Sequence, residues 1–122
     1  MIDPASFRNV ALCGGFVIAD IEFTHAPMLD SLAREAVAHT SIVGRKFHIL
    51  IRADLSQREL SMSLYHEILE AAAVGSLHPP ESVLNFNEGD FERAAQAAHA
   101  EFGEAAPERL NRMLQSYGFS EQ

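Results

Sequence analysis

Cysteine is nearly absent from this chain, with Cys13 the only one. A disulfide framework is therefore excluded, and a single thiol fits a reducing, cytoplasmic compartment. Basic residues are scarce as well: Lys and Arg number 9 against 17 Asp and Glu, for a formal net charge of -8. That balance argues against a nucleic-acid partner, which calls for a basic face. No run of consecutive cations marks a membrane-surface patch. No apolar stretch approaches the roughly 20 residues that a bilayer crossing needs. Residues 10–19 are apolar, but Asp3, Asp20 and Glu22 flank them and Arg8 is the only nearby cation. Such flanks read as those of a buried strand rather than a signal peptide.

What remains is a chain of 122 residues, 48% hydrophobic and 21% charged, the composition of one globular domain. Residues 1–9 carry no pattern and read as a loose N-terminus. Phe16 to Phe23 is rich in β-branched and aromatic types and reads as a strand, entered through a bend at Gly14-Gly15. Pro27 can open a helix, and Leu29, Leu32, Ala33, Ala36 and Val37 follow at helical spacing, so a helix is expected from Pro27 to between His39 and Gly44. Lys46 to Arg52 reads as a second strand. Ser56 and Glu59 form a capping box before an apolar run, with Gly75 as its natural terminator, predicting a helix over 57–74. Further helices are predicted over 88–102 and 107–117, closed by Gly103 and Gly118. The order is strand, helix, strand, helix, helix, helix: a small α+β domain with the 57–74 helix at its centre.

Leu60, Leu64, Ile68 and Ala72 make one apolar stripe on that helix, and Met62, Leu69 and Ala73 are apolar on other sides. A helix apolar nearly all round is a buried one. Yet it carries His66, Glu67 and Glu70. Burying an unpaired carboxylate costs several kcal/mol, so this segment lines a cleft or holds a cation. His66 and Glu70, at i and i+4, lie one above the other on a helix face, and imidazole and carboxylate are both ordinary zinc ligands. Glu67 is rotated by about 100° from His66, placed to act as general base toward a water activated by the metal. A third ligand could come from Glu88, with Glu92 orienting His66 from behind. His78 is the alternative third ligand, and His99 a more distant one. Tyr65 and Tyr117 are candidate oxyanion donors, although core packing explains both. His25, His39 and His48 show no partner spacing.

Each of these residues also has a structural reading. His66 and Glu70 form an ordinary i,i+4 pair, Glu67 a solvated helix position, and Glu88, Asp90 and Glu92 complement the positive end of a helix.

The run from strand 46–52 through Ala53-Asp54-Leu55-Ser56-Gln57-Arg58-Glu59-Leu60 to Ser63-Leu64-Tyr65-His66-Glu67-Ile68-Leu69-Glu70-Ala71 resembles the core of a zincin metallopeptidase domain of the minimal bacterial and phage type. The resemblance covers residues 27–102. Those families carry HExxH on the central helix, and Glu70 stands here in place of the second His. Asn87-Glu88-x-x-x-Glu92 is similar to the Asn-Glu-x-x-x-Asp of the gluzincin branch. The resemblance implies His66, Glu70 and Glu88 as ligands, Glu67 as base, a peptide or protein substrate and zinc as cofactor. One imidazole with two carboxylates is a harder donor set, shifting preference toward Mn²⁺ or Mg²⁺. The extra negative charge leaves the activated water less acidic, so slow or absent turnover is expected. The alternative is a degenerate zincin fold working without metal as a protein-interaction or regulatory module. A domain this small has little room for a deep cleft, which makes a homodimer or a partner protein plausible. A nuclease using the same ligands is disfavoured by the net charge.

Overall fold

A computed structural model describes residues 1–29, 32 and 35–120. The strands are β1 (Val10–Ala11), β2 (Val17–Thr24), β3 (Met28–Leu29), β4 (Glu35–Ala36), β5 (Ala38–Val43) and β6 (Lys46–Arg52). The helices are α1 (Gln57–Gly75), α2 (Glu88–Phe102) and α3 (Pro107–Ser116), with short 3₁₀ turns between elements. The domain is α+β, as its sequence pattern predicts. Four strands form a sheet in the order β1-β2-β6-β5, and β3 and β4 form a separate two-stranded pair.

The helix expected from Pro27 is not there. Of that segment, residues 30, 31, 33 and 34 lie outside the described residues, Leu32 is in a turn, and Met28–Leu29, Glu35–Ala36 and Ala38–Val43 are strands. β5 alternates half-buried Ala38, Thr40 and Ile42 with exposed His39, Ser41 and Val43. This period of two matches that of β6, against which β5 runs antiparallel, Val43 facing Lys46 and Ala38 facing Ile51. Gly44, at φ +64°, makes the tight turn between them, a conformation that favours glycine. Pairing along a whole strand outranks the weak helical spacing of Leu29, Leu32 and Ala36. Leu29 and Leu32 are 66% and 69% exposed, so they form no buried helix face.

Residues 1–9 are likewise not loose. Asp3 caps a 3₁₀ turn over Pro4–Phe7, and Ile2 and Phe7 are buried in the main core.

The α1 helix begins where its capping box places it. Glu59 N–H donates to Ser56 Oγ at 3.1 Å, and Ser56 N–H donates to Glu59 Oε1 at 3.2 Å. Gly75 is the last helical residue rather than a left-handed terminator, with Ser76 extended after it. Its lack of a side chain serves a close approach, since a Cβ there would lie 3.2 Å from Phe16 Cε1. Leu60, Leu64, Ile68, Leu69 and Ala72 are buried along α1, which packs on the sheet through β5 and β6 and on both following helices.

Two polar groups tie α1 to the chain after α2. Ser61, fully buried, accepts from Ala105 N–H at 2.8 Å and lies 2.8 Å from His99 Nδ1. Tyr65 donates to Gly103 O at 2.9 Å. No helix of the described residues is long and apolar enough to cross a membrane.

Candidate functional site

The face of α1 turned toward β5 carries His66, Glu67 and Glu70, and a cleft of about 650 Å³ opens there. Ala38, Thr40 and Ile42 of β5 form one wall, and Ala71 and Val74 continue the α1 side as an apolar surface. Glu88 and Glu92 of α2 close the third side. Among the described residues, no Lys or Arg lines the cleft.

A second capping box, absent from the sequence expectations, positions α2. Asp90 N–H donates to Asn87 Oδ1 and Asn87 N–H donates to Asp90 Oδ2, both at 2.9 Å. Asp90 is thereby committed to the cap and to Arg93. The cap fixes where the helix starts, and so places Glu88 in its first turn and Glu92 one turn later. Their carboxylates grip opposite edges of one imidazole. Glu88 Oε2 lies 3.0 Å from His66 Nε2, and Glu92 Oε2 lies 3.0 Å from His66 Nδ1. Glu70 Oε1 approaches the same Nε2 at 3.9 Å. Phe91 backs the ring, with centroids 6.1 Å apart.

The electrostatics follow from four carboxyl groups around one imidazole. Burial works against a charge on His66, but the hydrogen bond to Glu92 and the fields of Glu67, Glu70 and Glu88 outweigh it and hold the ring above its ordinary range. A carboxylate only accepts, so a ring bonded to carboxylates through both nitrogens is an imidazolium. Glu70 is pushed up to about 8, by burial first and then by the hydrogen bond to Glu88 and the charges of Glu88 and Glu67. Glu88 is lowered, chiefly by its hydrogen bond with Glu70. Glu67 is raised by burial, partly offset by a hydrogen bond from Thr40.

Single donor atoms of His66, Glu67 and Glu70 all lie within 4.8 Å of one another, close enough to share a metal ion. The structure thus brings together His66, Glu67, Glu70, Glu88 and Glu92. His78 is not brought in: it lies on a separate depression beside Arg45, Pro80 and Phe119, which removes it as the alternative third ligand. His99 is engaged with Ser61. Tyr65 points to Gly103 and burial raises its hydroxyl to about 12, while Tyr117 packs edge-on against Phe86; neither lines the cleft. His48, on β6, pairs with Asp20 across β2 at 3.2 Å. Thr40, unmarked in sequence, donates to Glu67 Oε1 at 2.8 Å.

Comparison with known proteins returns no matching family model, no matching curated protein and no matching solved structure.

Proposed function

We propose that this protein is a metal-dependent hydrolase acting on peptide bonds, with His66, Glu70 and Glu88 holding a divalent cation and Glu67 serving as general base. The observation that carries this reading is convergence on one ring nitrogen. Glu70 and Glu88 both reach toward Nε2 of His66, while Glu92 takes Nδ1. That division of labour suits a ligand imidazole whose far nitrogen is held by a carboxylate. The donor set also fits a cation chemically. Burial first, and then the neighbouring carboxyl groups of Glu88 and Glu67, push Glu70 up to about 8, and a divalent ion would offset the gathered negative charge.

When bound, the cation supplies Lewis acidity toward a water and a carbonyl oxygen. The residues do the rest. Glu92 fixes the ring orientation of His66 through Nδ1. Glu67, adjacent in sequence but directed toward β5, accepts the water's proton at its free carboxylate oxygen and returns it to the leaving amine. The apolar wall of Ile42, Ala71 and Val74 limits water beside the reacting carbonyl. Zinc is the first choice and Mn²⁺ or Mg²⁺ the alternatives, since two carboxylates beside one imidazole make a hard set. The single thiol, Cys13, fits a cytoplasmic setting.

A second reading, a metal-free interaction or regulatory module, is favoured by one observation: both nitrogens of His66 already have carboxylate partners.

Removal of metal tests the first reading. Unfolded casein, incubated with protein stripped by a chelator, is expected to stay intact, and one equivalent of zinc or manganese is expected to restore cleavage. Cleavage that survives chelation, or no cleavage with zinc, manganese or magnesium, contradicts it.

A further inference from the structure

Glu67 sits where two roles compete. Its carboxylate is within 4.8 Å of donor atoms on His66 and Glu70, so it is near enough to bind the same cation they do. A carboxylate committed to a cation has less basicity left for a water. Something must hold Glu67 beside the metal position without letting it close onto it.

The β5 strand supplies that restraint. Its alternation turns Thr40 toward α1, between Ala38 and Ile42, while His39 and Ser41 are exposed. Thr40 Oγ1 donates to Glu67 Oε1 at 2.8 Å. The anchor is stiff: Thr40 is β-branched and lies in a strand paired along its full length with β6. One carboxylate oxygen is thereby fixed against the sheet, while the residue still lines the cleft. Resting on the metal reading above, we infer that Thr40 is a positioning residue that keeps Glu67 out of the cation's ligand set and so preserves it as a base.

Cobalt(II) is the probe, because its visible bands report coordination and it needs no substrate. The full chain, stripped of metal, is titrated with cobalt(II), and affinity is read by competition with a coloured chelator. Thr40→Val keeps the shape and removes the donor, freeing Glu67 to bind. It is expected to take cobalt about tenfold more tightly, the scale on which partners of metal ligands act, with bands shifted by an added oxygen donor. Thr40→Ser, which retains a hydroxyl, is expected to match the wild type. The double variant Thr40→Val/Glu67→Gln is expected to lose the added affinity. Should Thr40→Val not fold, Thr40→Ala takes its place.

Wild-type bands and affinity in Thr40→Val overturn the inference, as does weaker binding. Added affinity that persists without the Glu67 carboxylate overturns it too. Failure of the wild type to bind cobalt(II) is a different result, since it removes the metal reading itself and the inference with it.

Discussion

Glu67→Gln is expected to lower hydrolysis of unfolded casein by about 10²–10⁴-fold, the usual contribution of a positioned base, with metal content unchanged. The amide keeps the size of the side chain and can still meet Thr40, so the helix and cleft remain formed. What it loses is the lone-pair basicity that accepts a proton. On the proposed reading Thr40, which donates to Glu67 Oε1 at 2.8 Å, keeps Glu67 out of the ligand set. Metal analysis beside the rate measurement separates the alternatives. Loss of both metal and activity would make Glu67 a ligand rather than the base. Unchanged activity would remove it from the chemistry altogether.

Glu70→Gln is expected to have opposite effects on stability and on metal binding. The folded-state value of Glu70 is raised to about 8 from an ordinary 4.5. Between those values the folded protein holds a proton that the unfolded chain has released, so stability falls as pH rises through that window. Glu67, also raised, adds in the same direction. So does His66, whose contribution is present at low pH and lost as pH rises through its raised value. Glu88 is lowered, and its opposing gain is complete once pH passes the ordinary carboxylate range. The metal-free wild type is therefore expected to lose melting temperature, on the order of 5 °C, between pH 5 and pH 8.5. Glu70→Gln flattens that loss and is the more stable protein at pH 8.5, while losing its thermal response to zinc. Thermal melts with and without zinc at both pH values check this. A wild-type melting temperature that rises across the window would contradict the burial and crowding that raise Glu70 and Glu67. On the metal reading, uptake would displace both the Glu70 proton and the Nε2 proton of His66, so wild-type affinity is expected to increase as pH rises toward 8 and above.

The trade is physically coherent. A site that gathers four carboxyl groups around one imidazole costs stability in the metal-free protein, and on the metal reading a bound cation would restore it.

How much of this was legible in the sequence depends on how local each signal is. The α1 start could be read because Ser56 and Glu59 act within one turn of each other. The β6 strand and the α3 helix, with Pro107 at its start, were similarly marked by neighbours. The β5 strand was not. Its identity rests on pairing with β6 across the Gly44 turn, and the apolar residues before it fit helical spacing well enough to mislead. Thr40 was lost with that misreading, since no helix starting at Pro27 would carry it to Glu67.

In the site, the i, i+4 spacing puts His66 and Glu70 on one face with Glu67 rotated beside them, and Asn87-Glu88-x-x-x-Glu92 points to the partners from α2. The grip of Glu88 and Glu92 on both ring nitrogens could not be read from spacing, because it depends on how α2 packs across α1. The Asn87–Asp90 cap that fixes this packing is a local signal, legible in principle from an Asn three residues ahead of an Asp. His78 looked available because it follows α1 closely, but Ser76 breaks the helix in an extended conformation and the chain carries His78 away from the cleft. Burial of Ile2 and Phe7 is non-local in the same way.

The most direct test of the proposed metal site is metal content by plasma mass spectrometry on purified, untagged protein, beside His66→Ala and Glu70→Ala. The geometry predicts close to one zinc or manganese ion per chain, as a single three-ligand site requires, and its loss in both variants. Wild-type protein that stays metal-free at micromolar zinc and manganese, with both variants folded, would contradict it and leave His66 as a half-buried polar link between α1 and α2.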